Sequence, residues 1–164
     1  MELLTELPYD LPGRVYRSPL PFSPLFDPQG FLLTAFLDAG VDTVVMLTPQ
    51  EEVHRLTGID LAEQYQQLGF EVIYAPVVDF SIPSAEGFQG PIREALRAAQ
   101  AGRTIVIHCH AGLGRTGMFA ACLAKVIFDL PGEEASAWVR RYIPRAIETS
   151  EQRQFIKNFI FEAD

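Results

Sequence analysis

Two kinds of apolar pattern alternate along the middle of the chain. Segments with apolar positions at helical spacing are each closed by a glycine and followed by a short run rich in β-branched residues. The predicted helices cover 28–39, 59–68 and 88–101, and the strands that follow them cover 41–47, 70–78 and 104–108. Three such pairs predict an α/β fold, with a central mostly parallel sheet flanked by helices.

Both ends of the chain depart from this alternation. Six of the twelve prolines fall within residues 1–28, which predicts an extended lead-in with a short edge strand at 14–17. After residue 108 the pattern is helical, at 116–129, 133–143 and 151–161, with Ser150 as the cap of the last helix. We expect residues 1–164 to form one domain.

One polar segment separates the first predicted strand from the second predicted helix. It follows Thr48 and Pro49 and is expected to be a solvated loop. Its charged members are Glu51, Glu52, His54 and Arg55.

Composition and charge narrow the function. With 48% apolar and 21% charged residues the chain is an ordinary globular protein, and its net charge of -8 disfavours nucleic acid as a partner. Residues 1–10 contain neither a basic start nor a long apolar run, so we expect no export leader and no membrane association. A cytoplasmic protein, with a monomer as the default state, is therefore expected.

The two cysteines, Cys109 and Cys122, are too few for a disulfide framework. No spacing typical of a metal site is present, so neither a metal nor another cofactor is expected. Cys122 lies in an apolar helical stretch and is expected to pack in the core. A regulatory disulfide between the two cysteines is the alternative for that residue.

The sequence HCHAGLGRTG, residues 108–117, joins the last predicted strand to the following helix. A glycine-containing turn before a helix directs backbone N–H groups to one point, where the helix dipole also favours an anion. The turn lacks the lysine of a nucleotide-binding Walker loop. It is therefore expected to hold a phosphate group that is itself attacked.

Cys109 and Arg115 bracket this turn. A thiol among N–H groups, a guanidinium and a helix start loses its proton readily, and the arginine fork matches two phosphate oxygens. The Thr116 hydroxyl can donate a hydrogen bond to the sulfur once phosphate leaves. The residues expected to surround the phosphate are His110, Ala111, Gly112, Leu113, Gly114 and Arg115.

His-Cys-x-x-Gly-x-x-Arg-Thr is the signature of the protein tyrosine and dual-specificity phosphatases, which this chain resembles at every defining position. The short chain resembles the atypical dual-specificity group, and residues 65–69 and 112–115 are similar to the cyclin-dependent-kinase-associated type. The resemblance extends over about residues 40–160. It implies a phosphatase of phosphotyrosine, and of phosphoserine or phosphothreonine, in protein substrates, acting through a cysteinyl phosphate.

The resemblance also implies roles for residues outside the signature. Asp79, in VVDFSIPS, stands where the family has its general acid, and Glu86 is the next carboxylate to consider if Asp79 is structural. Gln152, in ETSEQRQF, matches the segment that positions water. His108 points to the opposite face of its strand from Cys109 and is expected to order the loop, whereas His110 is expected at the pocket mouth.

Two alternatives remain open. The same chemistry could act on a phosphoinositide, an inositol phosphate or an RNA 5′ end, although phosphatases of lipid phosphates carry lysines where this loop has His110 and Leu113. The chain could also be a non-catalytic phosphate-binding module. Such modules usually lose the nucleophile, the arginine or the acid, and all three are present here.

Overall fold

A five-stranded sheet lies at the centre of the computed structural model, which describes residues 3–84 and 86–163. Met1, Glu2, Ala85 and Asp164 lie outside the described residues, and with them the first two residues of the lead-in. The strands are β1 (Thr5–Leu7), β2 (Val15–Ser18), β3 (Thr43–Met46), β4 (Glu71–Tyr74) and β5 (Ile105–His108). Their order is β1-β2-β5-β3-β4, and every neighbouring pair is parallel except β1 with β2. The predicted mostly parallel sheet is confirmed.

Seven helices accompany the strands within the described ranges. They are α1 (Leu32–Asp38), α2 (Gln50–Thr57), α3 (Leu61–Gln67), α4 (Gln89–Gln100), α5 (Gly114–Phe128), α6 (Gly132–Tyr142) and α7 (Ser150–Asn158).

The helices cover both faces of the sheet. Side chains alternate between faces along a strand, so Val44 and Val106 pack with α1, α2 and α3. Val45 and Ile107 pack on the other face with α4, α5, α6 and α7. The near-continuous apolar runs of β3 and β5 are what a strand buried on both faces requires. This arrangement brings the carboxyl ends of β3, β4 and β5 to one rim of the sheet.

The proline-rich lead-in is more ordered than its sequence predicts. β2 pairs with β1 on one side and, in parallel, with β5 on the other, so the strand expected at the edge is internal. The edge is formed by β1, which no pattern predicted. Val15 and Arg17 are buried in β2, and the prolines that follow at 19, 21 and 24 obscure the strand signal.

The segment expected as a solvated loop is helix α2, and that prediction was wrong. Pro49 precedes the helix and Gly58, in the left-handed conformation, ends it. Glu52 and Val53 are buried, which shows that the segment has an inner face. The polar residues on its outer face had concealed the helical pattern.

Two helix starts also differ from the prediction. α1 begins at Leu32 rather than near Pro28, although the Asp27 carboxylate accepts the N–H groups of Phe31 and Leu32. The cap of α7 is Thr149, not Ser150, since the Thr149 hydroxyl accepts from Gln152 N.

Candidate active site

The phosphate loop, residues 109–115, begins directly after β5 and runs into α5. Arg17, buried in β2, supports the loop through two hydrogen bonds. Its Nε donates to the carbonyl of Gly112 at 3.1 Å and a terminal nitrogen donates to that of Ala111 at 3.0 Å. A Cβ on Gly112 would lie 2.6 Å from the Ser18 carbonyl, and its φ of +76° also favours glycine. Glycine therefore allows the loop to rest on β2.

The flanking carbonyls of the loop are held in the same way. The His110 carbonyl accepts from Leu20 N at 2.8 Å, and the Leu113 carbonyl accepts from Ile147 N at 3.1 Å. The carbonyls of residues 110–113 are thus all bonded to the surrounding protein. Carbonyl and N–H groups of a tight turn point to opposite sides, so the N–H groups are turned toward the concave side, as an anion site requires.

Cys109 lies at the base of this loop with 2% of its surface exposed. The Thr116 hydroxyl donates to its sulfur at 3.1 Å. This contact fixes the sulfur at the base of the loop, next to the start of α5.

His108 lies on the other face of the strand, fully buried against α3. Its Nδ1 is 3.4 Å from the Cys109 carbonyl, which can only accept, so Nδ1 carries the proton. Nε2 then accepts from the Tyr65 hydroxyl at 2.7 Å. Burial lowers the pKa of His108 to about 4, which keeps the ring neutral near neutral pH. Through these two hydrogen bonds, His108 connects α3 to the start of the phosphate loop.

Arg115 carries a charge in the interior, with 1% of its side chain exposed. Its terminal nitrogens donate to both carboxylate oxygens of Glu52, at 3.1 and 2.9 Å, and to the Val77 carbonyl at 2.8 Å. Burial alone would lower the Arg115 pKa, but the Glu52 hydrogen bonds and the nearby charges of Cys109 and Asp79 outweigh it and raise the pKa. The guanidinium is therefore permanently charged and fixed in orientation.

One edge of the same guanidinium is left for a ligand. Arg115 Nε is buried and has no hydrogen-bond partner among the described residues. The adjacent terminal nitrogen lies 3.2 Å from Asp79 Oδ1. A phosphate bound at this edge would accept from the orphaned N–H and compete with the Asp79 carboxylate for the arginine.

Asp79 follows β4 by five residues and reaches the loop from the side. Its Oδ1 also accepts from Phe80 N at 3.0 Å. Phe80 has a φ of +61°, and both Val78 and Phe80 are exposed, at 70% and 58%. The carboxylate is thus held beside Arg115 by a strained turn with an apolar outer surface.

Gln152 is fully buried near the start of α5. Its Oε1 accepts from Glu148 N at 2.9 Å and Thr149 N at 3.3 Å, and its Nε2 donates to the Ser81 carbonyl at 3.3 Å. The side chain therefore links the loop after Asp79 to the entry of α7. Both of its terminal atoms would be 3.3 Å from a Cβ on Gly114, so it also contacts the phosphate loop.

His110 is only partly buried, and its ring lies beside Phe26 and 3.2 Å from the Ser23 hydroxyl. Burial lowers its pKa, with Glu52 and Asp79 opposing the shift. Both cysteines are free; Cys122 is buried in α5, where burial raises the pKa of its thiol. Glu86 is exposed on a groove of about 540 Å³ that Ile82 and Phe155 also line.

Three residues with a part in this geometry were missed by the sequence analysis. The first is Glu52. Pro49 followed by acidic residues is a helix-start signal that could have revealed α2, although not the contact between Glu52 and Arg115. The second is Arg17. Its only signal in the sequence was a charged residue in a segment predicted to be a strand. Glu148, whose carboxylate overlaps the position of a Cβ on Gly114, gave no signal of its own.

Two negative findings apply to the described part of the chain. Residues 3–84 and 86–163 contain no group of three His, Cys, Asp or Glu side chains placed to bind a metal ion. None of the helices in those ranges combines the length and apolar character needed to cross a bilayer.

Comparison with known proteins agrees with this geometry. Residues 31–127 match the family model described as Tc-R-P, a polymorphic toxin system DSP-PTPase phosphatase. Mouse protein tyrosine phosphatase domain-containing protein 1 is 26% identical over 136 residues, which are 78% of this chain but 18% of that protein. Human cyclin-dependent kinase inhibitor 3 is 25% identical, over 73% of this chain and 58% of its own length. The chain thus spans less than two thirds of these relatives.

Solved structures share the whole fold. Tk-PTP in its G95A form is 31% identical, with a TM-score of 0.75 over 90% of this chain and 89% of its own. Kinase associated phosphatase has a TM-score of 0.86 at 21% identity over 95% and 92%, and PTPMT1 in complex with PI(5)P has 0.78 at 18% over 96% and 94%. With a family model covering more than half of its residues, this chain belongs to the cysteine-dependent dual-specificity and protein tyrosine phosphatases.

Proposed function

We propose that this phosphatase hydrolyses phosphotyrosine, and phosphoserine or phosphothreonine, in protein substrates, with Cys109 as nucleophile. One observation carries the proposal: the Cys109 sulfur accepts from Thr116 beneath a loop whose carbonyls face outward, next to an arginine whose Nε–H has no partner among the described residues. We expect a phosphate held by the loop N–H groups and Arg115 to present its phosphorus to that sulfur. The same groups stabilise charge in the transition state.

The reaction then has two steps. The Cys109 thiolate attacks phosphorus while Asp79, freed from Arg115 by the arriving phosphate, protonates the leaving oxygen. Asp79, now ionised, takes a proton from a water molecule that attacks phosphorus; the phosphorus–sulfur bond breaks, phosphate is released and Cys109 returns to the thiolate. No step in this scheme uses a metal ion.

The choice of protein substrates rests on the surroundings of the loop. Besides Cys109 and Arg115, its one titratable side chain is His110, whose pKa is lowered by burial, so a polyphosphorylated headgroup would find little positive charge. The net charge of -8 further disfavours an anionic membrane surface. PTPMT1, of the same fold, was solved with a phosphoinositide, and that substrate class is the alternative.

The test combines one variant with a substrate panel. Cys109→Ser should abolish turnover while inorganic phosphate still binds, because a serine hydroxyl is not ionised near neutrality. Wild-type enzyme should release phosphate from phosphopeptides at least tenfold faster than from phosphoinositide vesicles at equal phosphate concentration. Turnover by Cys109→Ser contradicts the covalent mechanism, and faster release from vesicles favours the alternative substrate.

Asp79→Ala tests the acid through its dependence on the leaving group. General acid catalysis contributes about 10²–10⁴ in rate, most for a serine alkoxide and least for a nitrophenolate, which leaves readily as the anion. The variant should therefore slow a phosphoserine peptide far more than p-nitrophenyl phosphate, measured as kcat/KM. An equal loss with both substrates would make Asp79 structural.

A further inference from the structure

We propose that a groove beside the loop after Asp79 is a docking site for a basic and apolar segment of the protein substrate. The groove, of about 540 Å³, lies between that loop, α7 and the segment that follows α7, and we call it the α7 groove. The inference rests on the proposed function, because it requires a phosphorylated protein as substrate. It adds the kind of sequence that such a substrate carries near its phosphorylated residue.

Part of the lining of the α7 groove is apolar. Ile82 belongs to the loop after Asp79, Phe155 to α7, and Phe159 and Ile160 to the segment after the helix. Ile160 is 77% exposed and Ile82 37%. Exposed apolar side chains that line one groove are stabilised when a partner covers them. The groove therefore favours a partner with apolar side chains.

The charged side chains of the same groove are all acidic. Glu86, Glu151 and Glu162 line it, each of them exposed, and its described lining residues include no lysine or arginine. The neighbouring groove between α6 and α7 differs, because Arg153 and Lys157 line it. Charge complementarity therefore selects lysine or arginine side chains in the partner of the α7 groove. An anionic membrane surface or a nucleic acid would be repelled there.

The groove is close enough to the active site for one substrate chain to occupy both. Ile82 follows Asp79 by three residues, a span of about 10 Å, and two turns of α7 add about 10 Å. Loop and helix are joined, since Gln152 Nε2 donates to the Ser81 carbonyl at 3.3 Å. An extended substrate segment would cover the groove with residues about three to eight positions from the phosphorylated one.

Two series of phosphotyrosine peptides test the proposal, one varied before the phosphorylated residue and one after it, at positions about three to eight residues away. In each series the first peptide carries lysine and leucine there, the second has glutamate for lysine, and the third has serine for leucine. In one series, wild-type enzyme should hydrolyse the first peptide with kcat/KM about tenfold above the other two, mainly through a lower KM. Its advantage over the glutamate peptide should shrink in about 1 M salt, which screens exposed charges.

A pair of double variants locates the charge effect. Glu151→Gln with Glu162→Gln removes two carboxylates of the groove, whereas Glu133→Gln with Glu134→Gln, in the first turn of α6, changes the net charge equally elsewhere. The first double variant should lose most of the preference for lysine, and the second should keep it. Both should hydrolyse p-nitrophenyl phosphate, which is too small to reach the groove, at the wild-type rate.

A pair of single variants locates the apolar effect. Ile160→Ser should remove the preference for leucine over serine in the peptides. Leu37→Ser, on α1 and 48% exposed, is the matched control and should keep that preference.

Three results would count against the proposal. Equal kcat/KM for the peptides of both series, or a preference for lysine that survives the loss of Glu151 and Glu162, overturns the docking site while turnover of phosphopeptides still supports the proposed function. Dimers in sedimentation that Ile160→Ser disperses would assign the groove to a second copy of the chain and overturn it as well. If phosphoinositide vesicles are hydrolysed and no phosphopeptide is, the proposed function fails and this inference with it.

Discussion

The orientation of the Arg115 side chain depends on its pairing with a buried carboxylate. A buried guanidinium is costly unless it is paired, and Glu52, itself 8% exposed, pairs with it through two hydrogen bonds. Those bonds use the terminal nitrogens and leave Nε, which has no partner among the described residues, for the proposed phosphate. The Glu52 carboxylate thus sets the direction in which Arg115 binds its ligand.

Glu52→Gln should lower kcat/KM about ten- to hundredfold for every phosphomonoester, mainly through a higher KM. The reason is that hydrogen bonds to charged groups contribute about 1.5–3 kcal/mol, and an amide has only one acceptor for the fork. Glu51→Gln, on an exposed neighbour in the same helix, is the control and should match wild type. A fall in kcat with KM unchanged would show that Glu52 does not act through phosphate binding.

The residues inside the signature could be predicted from sequence because their spacing along the chain fixes their spacing in space. Cys109 and Arg115 bound one turn, so no knowledge of the fold is needed to bring them together. Glu52 is 63 positions from Arg115, and nothing local indicates that their side chains meet. Glu148 is hidden in the same way, since its contact with Gly114 depends on how α7 packs.

At the scale of elements, β2 and the phosphate loop form one unit. Arg17 bonds two successive loop carbonyls, and Leu20, just beyond the strand, bonds a third. The planar fork of arginine reaches both carbonyls at once, which an ammonium group cannot do with the same geometry. The lead-in is therefore part of the site's framework.

Arg17→Lys should reduce turnover at least tenfold and lower the melting temperature, because loop carbonyls lose buried donors at about 1–3 kcal/mol each. Arg14→Lys, an exposed change next to the same strand, should leave both quantities near wild type. Melting curves and steady-state kinetics check this. Full activity in Arg17→Lys would mean that the loop keeps its shape without the fork.

Element prediction succeeded where glycine marked a boundary. Gly69 and Gly102 both have positive φ, and α3 and α4 end within two residues of them. It failed for α2, whose polar face dominates its sequence. It failed also for the position of β2, because whether a strand is internal depends on which strands pair beside it, and no local pattern records that.

For the whole molecule, His108 couples stability to pH. Its pKa falls from the ordinary 6.5 to about 4 in the folded protein, so below 6.5 the unfolded chain binds a proton that the native one does not. Stability is therefore complete above pH 6.5 and lost as pH falls toward 4. By pH 4.5 the loss from this group is roughly 2–3 kcal/mol, a large part of the roughly 5–15 kcal/mol of a typical domain.

The measurement is urea unfolding of wild type and His108→Gln at pH 7.5 and 4.5. Other groups titrate in both proteins, so the difference between their pH responses isolates the histidine. The variant should be less stable at pH 7.5 but should lose less on acidification, by roughly 2 kcal/mol. Equal losses in the two proteins would show that His108 is not the group responsible.

The hydrogen bonds to the carbonyls of the phosphate loop also bear on when the loop can form during synthesis of the chain. Their partners come from Arg17 and Leu20, synthesised early, and from Ile147, synthesised late. A nascent chain that has emerged from the ribosome only as far as Cys109 contains Arg17 and Leu20 but has neither the turn that they bond nor Ile147. We therefore expect the loop to take the shape that holds phosphate only when both flanks have docked, so incomplete or unfolded chains should lack the proposed phosphatase activity.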